Sequence, residues 1–76
     1  MKITFQDRYE LAKELAVILK ATKHHVTRST SKTRSMIQTD FGTITITEDT
    51  IELSDGSNIK QFETPISLKN EVIVLS

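Results

Sequence analysis

The sequence predicts an α+β fold: one N-terminal amphipathic helix packed on an antiparallel β-meander of four to six strands. Three observations predict it. Apolar residues near the N-terminus recur at helical spacing, the period changes to two from Ser35 onward, and Asp-x-Gly or Ser-Asp-Gly triplets separate the later apolar runs. With 76 residues the chain has material for a single domain spanning residues 1–76, because two cores could not both be filled.

Residues 2–5 read as a short strand with Ile3 and Phe5 on one face. A helix follows over residues 8–21. Asp7 is the expected N-cap, taking the free amide of Glu10 while Glu10 reaches back in a capping-box pattern. Both carboxylates suit the positive end of the helix dipole. Leu11, Leu15, Ile18 and Leu19 form the buried stripe with Ala12 and Ala16 beside them, and Arg8, Lys13, Glu14 and Lys20 lie toward the other side.

Residues 22–35 contain one aliphatic side chain, Val26, among Thr, Ser, Lys and Arg. Such a segment cannot anchor itself by burial, so it reads as a flexible basic arm or the exposed tip of a hairpin. Strands are expected at residues 36–39, 43–47, 50–53 and 57–62, all rich in Ile and Thr. Asp40-Phe41-Gly42 and Ser54-Asp55-Gly56 each place glycine third in a three-residue loop. That geometry sets Met36 opposite Ile46, Gln38 opposite Ile44, Ile51 opposite Ile59 and Thr50 opposite Lys60. It also points Ile37 outward, the one apolar misfit.

Beyond Pro65, residues 66–68 read either as an edge strand or as a helical turn capped by Thr64 with proline at its first position. Residues 72–75 are continuously apolar and read as a strand covered on both sides. The expected core is Phe5, Leu11, Leu15, Ile18, Leu19, Met36, Ile44, Ile46, Ile51, Leu53, Ile59, Val72 and Val74. A lone helix covers one sheet face, so the other face is expected to curl on itself or meet another subunit.

The net charge of zero hides a division: residues 1–38 carry a balance of +5 and residues 39–76 a balance of −5. Between Glu14 and Asp40 there is no acid, but Lys20, Lys23, Arg28, Lys32 and Arg34 all occur there. This tract holds the charges and hydroxyls that recognise phosphate, without aromatic interleaving, so a nucleic acid would be held by its backbone. The plainer alternative is a solvated loop that maintains solubility.

Signals for catalysis are absent. His24 and His25 are adjacent and would point to opposite faces of a strand, and no cysteine completes a metal site. Glu48, Asp49 and Asp55 fall in expected turns, and no G-x-S-x-G or glycine-rich phosphate loop occurs. The expectation is a protein that is not an enzyme, with no cofactor, no metal and no small-molecule substrate.

No apolar run approaches the roughly 20 residues of a membrane span, the first residues lack a signal-peptide core, and a cysteine-free chain suits a reducing setting. A cytoplasmic location away from membranes is expected. The leading functional expectation is a small regulatory or inhibitory binder of the sort phages and mobile elements encode. Its partner is another protein or a second copy, met through the sheet face or an edge at Ile37, Val72, Ile73, Val74 and Leu75. The alternative is a phosphate-backbone binder using Lys20, Lys23, Arg28, Lys32 and Arg34.

Overall fold

The structure, a computed structural model, describes residues 2–76. Its elements in chain order are α1 (Phe5–Ala21), β1 (Val26–Thr30), β2 (Arg34–Thr39), β3 (Gly42–Thr47), β4 (Ile51–Ser54), β5 (Ile59–Phe62) and α2 (Pro65–Leu75). The strands form one antiparallel meander in the order β1-β2-β3-β4-β5. Helix α1 lies over β1 and β2, and α2 lies beside α1 against β5. The fold is α+β, as the periodicities predict, with a second helix where a last strand was expected.

Helix α1 begins one turn before its expected start. Thr4 is the N-cap, its Oγ1 accepting from the Asp7 amide at 3.1 Å, which leaves Asp7 third in the helix rather than capping it. Glu10 accepts from Gln6 Nε2 at 2.9 Å instead of reaching back to Asp7. The early start removes Phe5 from the expected strand and leaves it half exposed. Ile3 is buried and its amide donates to the Glu48 carbonyl at 2.8 Å, but residues 2–4 form no strand.

Arg8, expected on the solvent side, is buried. Its Nη1 donates to the Ile3 carbonyl at 2.6 Å and its Nη2 to the Lys32 carbonyl at 3.0 Å. The guanidinium thus ties the N-terminal segment to the β1–β2 turn. Its Nε–H and the Ser35 hydroxyl are both buried without a hydrogen-bond partner, each costing about 1–3 kcal/mol.

Residues 22–35 are a hairpin rather than an arm. Helix α1 closes in a Schellman arrangement, the Lys23 amide donating to the Lys20 carbonyl at 3.0 Å and the His24 amide to the Leu19 carbonyl at 2.9 Å. Strand β1 then pairs with β2, Val26 opposite Thr39 and Thr30 opposite Ser35. At the tip, Ser31 Oγ accepts from the Arg34 amide at 3.3 Å. Backbone pairing and the Arg8 clamp supply the order that burial cannot, since only Val26 of β1 is even partly buried.

Both later registers differ from expectation. Thr39 pairs with Gly42, so residues 40 and 41 alone form the β2–β3 turn, and Ile37 stands opposite Ile44 with Met36 opposite Thr45. A one-residue slip turns every side chain to the other face. Here it buries Ile37 and exposes Gln38, which removes the apolar misfit and places Met36 on the outer face. In the β4–β5 hairpin Ile51 faces Phe62 and Leu53 faces Lys60. Four residues, 55–58, make that turn. Asp55 Oδ1 accepts from the Asn58 amide at 2.8 Å and the Ser57 amide at 2.9 Å, which holds its carboxyl below the usual aspartate range. Ile59 consequently points outward and is not core.

Residues 72–75 belong to α2, not to a strand. Thr64 Oγ1 accepts from the Ser67 amide at 3.1 Å and Pro65 occupies the first turn, the helical alternative for this segment carried on for eleven residues. Leu68 and Val72, four apart, enter the core while Val74 stays exposed. A four-residue apolar run cannot by itself distinguish a strand from a helix.

The core joins Ile3, Leu11, Leu15, Leu19, Ile37, Ile44, Ile46, Ile51, Leu53, Leu68 and Val72, with Ile18 partly buried against it. All of it lies between the helices and one sheet face. The outer face is largely polar, carrying Thr27, Ser29, Gln38, Thr43, Thr45, Thr47 and Glu52, with Met36 and the exposed Ile59 as its apolar members.

Candidate interaction surfaces

The residues expected at a protein interface separate into two groups. Ile37 and Val72 are fully buried and hold the core together, so neither reaches a partner. Ile73, Val74 and Leu75 are exposed, on a helix rather than on a sheet edge. Helical spacing puts the face opposite Leu68 and Val72 at Ile66, Ser67, Asn70, Ile73 and Val74. Ile66, Ile73 and Val74 are 68%, 55% and 78% exposed, so α2 is apolar on its outer side as well as its inner one. Leu75 lies toward Phe41 and Leu53, at the mouth of a small cavity against β4.

The charged residues of α2 are engaged within the chain. Lys69 Nζ lies 2.7 Å from Glu14 Oε2, bridging to α1, and Glu71 Oε2 accepts from Lys60 Nζ at 3.1 Å, bridging to β5. Between Lys69 and α1 runs a shallow open groove of about 430 Å³, lined in part by Lys13, Val17 and Ile18. Val17, 63% exposed, is an apolar side chain on the α1 wall of this groove. Sequence reading missed Ile66, Asn70 and Val17 as surface candidates. The signal for the first two was the 66–70–73 spacing, visible only when the segment is read as helix.

The basic tract follows the β1 edge of the sheet but not one face of it, since Arg28 shares the helix side with Ile37 and Arg34 the outer side with Met36. Lys20 sits in the last turn of α1 and Lys23 follows it, both at one end of β1. Arg28 lies mid-strand with its guanidinium 5.5 Å from the Tyr9 ring centroid. Lys32 is in the turn and Arg34 opens β2, both at the other end. All five side chains are exposed, and among the described residues none forms an ion pair. Lys2, Lys60 and Lys69 each have a carboxylate within 4 Å. At Lys2 that partner is Glu48, and their hydrogen bond lowers the Glu48 pKa and raises that of Lys2.

His24 Nδ1 donates to the Asp40 carboxylate at 2.9 Å, and its ring meets Phe41 edge-on at 5.4 Å. Among the described residues no three His, Asp or Glu side chains gather closely enough to hold a metal ion. No helix among them is long and apolar enough to cross a membrane. Comparison of the chain with protein-family models, with curated proteins and with solved structures finds no match.

Proposed function

We propose that this chain is a small non-enzymatic binding module that docks a protein partner on the outer face of α2. The observation that carries the reading is the two-sided apolar character of that helix. Leu68 and Val72 fill the core while Ile66, Ile73 and Val74 stand in solvent on the opposite side. An exposed apolar patch rimmed by polar residues marks an interaction site. The docking element is the helix and not the sheet, whose free face is largely polar.

Photo-crosslinking in the cells that produce the protein tests this reading. A benzoylphenylalanine at position 73 is expected to capture a protein, whereas the same probe at Thr45, on the outer sheet face, captures none. No adduct from position 73, or equal capture from both positions, overturns the proposal.

A second reading, contact with a phosphate backbone along the β1 edge, is favoured by a separate observation. Among the described residues Lys20, Lys23, Arg28, Lys32 and Arg34 all lack carboxylate partners, as does Lys13, although Lys2, Lys60 and Lys69 have them. The hydroxyls of Thr27, Ser29, Thr30 and Ser31 lie along the same edge and supply further donors.

A further inference from the structure

We infer that the occupant of the α2 face is a second copy of this chain, joined about a two-fold axis that brings the two Asn70 side chains together. The inference rests on the reading of α2 as the docking surface and adds the identity of the partner. In a two-fold contact each patch meets itself, so any charge on it meets its own like. The outer face of α2 carries none: its residues are Ile66, Ser67, Asn70, Ile73 and Val74. The two charged side chains that flank this face are drawn aside, Lys69 to Glu14 at 2.7 Å and Glu71 to Lys60 at 3.1 Å. A surface built for a charged partner would present complementary charge, and this one presents three aliphatic groups with one hydroxyl and one amide.

The spacing of the face is also self-complementary. Ile66, Asn70 and Ile73 follow the four-three spacing of a coiled-coil seam, with the polar residue in the middle. If the helices run parallel, every residue of the seam meets its counterpart. If they run antiparallel about Asn70, Ile66 meets Val74 of the second copy and Ser67 meets Ile73. In both arrangements Asn70 faces Asn70, and two side-chain amides can exchange hydrogen bonds, each having both donors and an acceptor. A single buried asparagine of this kind selects register and oligomer size.

An eleven-residue helix is about 16 Å long. A contact built on one helix of this length is smaller than the roughly 800 Å² per partner of a standard interface. The dimer is accordingly expected to be weak and to depend on concentration.

Sedimentation equilibrium over a concentration series, with charge-swapped variants, tests this. The wild-type mass should rise from 8.6 kDa toward twice that value. N70D alone and N70K alone should each weaken association at least tenfold by placing like charges face to face, and an equimolar mixture of the two should restore it. Asn70 is exposed, so both variants keep the wild-type fold by circular dichroism. The inference is overturned by a wild-type chain that stays monomeric to about 1 mM, by a dimer indifferent to N70D, or by a mixture that fails to reassociate. A monomeric wild type whose position 73 still captures a different protein overturns the self-association alone and leaves the docking reading standing. Absence of any capture removes both.

Discussion

Lys23 adopts a left-handed backbone, with φ at 66°, in the position that follows the C-cap of α1. Glycine is the usual occupant there because a Cβ is crowded in that conformation. The Schellman hydrogen bonds from Lys23 and His24 hold the lysine in place despite this. Relief of the crowded Cβ, set against the extra freedom of an unfolded glycine, is expected to make Lys23→Gly stabilise the protein by up to about 1 kcal/mol, read from the midpoint of urea unfolding. A neutral or stabilising outcome shows that the fold does not need the lysine side chain, whereas a loss above about 1 kcal/mol would show that it does. The cation itself was legible in the sequence as part of an acid-free tract. Its backbone conformation was not, because helix-terminating signals there are spread over Thr22, Lys23 and His24 rather than marked by a glycine. Arg8 was illegible for a different reason. A cation on the rim of a helical stripe is normally solvated, and only the approach of the Ile3 and Lys32 carbonyls explains its burial.

Among the elements, the two glycines that look alike in sequence serve different turns. Gly42 has φ of 149°, pairs with Thr39 in the β2–β3 hairpin, and leaves no room for a Cβ, which would run into the Ser54 carbonyl of the neighbouring strand. Gly56 has φ of 94° but borders open space. Gly42→Ala therefore meets both backbone strain and a clash with main chain, and is expected to cost about 2–4 kcal/mol. Gly56→Ala meets strain alone, at about 1–2 kcal/mol. Thermal or urea unfolding of the two variants checks the order, and equal losses would contradict it. The strands themselves were readable from Ile and Thr alternation, but the registers were not. Turn length decides register, and burial of Ile37 in preference to Gln38 outweighed the three-residue loop that glycine suggested. The same competition hid α2. Thr64 and Pro65 announced a helix, yet residues 72–75 matched a buried strand equally well, and only the core positions of Leu68 and Val72 decide between them.

At the scale of the whole molecule, zero net charge does not mean a neutral surface. The tract cations lie along β1 and its two ends, while Glu52, Asp55, Glu63 and Glu71 lie on or beyond β4 and β5. Four strand spacings separate the sheet edges, about 19 Å, against a Debye length of about 8 Å at physiological salt. Those four acids therefore do not screen the β1 edge, while Asp40, 2.9 Å from His24, lies close to its Lys23 end. Strand β1 is about 17 Å long, roughly five base pairs of duplex, with Lys20 and Lys23 at one end, Lys32 and Arg34 at the other, and Arg28 between them on the helix side of the strand. If all five engage, log K for a random-sequence duplex should fall against log[salt] with a slope near −4.5, about −0.9 per contact. Lys23→Gly should reduce the slope by about 0.9, separating loss of a phosphate contact from any change in stability. Fluorescence anisotropy of a labelled 20-base-pair duplex provides the measurement. No binding at low salt would leave these cations a different task, that of keeping the free edge of β1 from pairing with the edge of another sheet: antiparallel self-pairing centred on mid-strand would set Arg28 against Arg28.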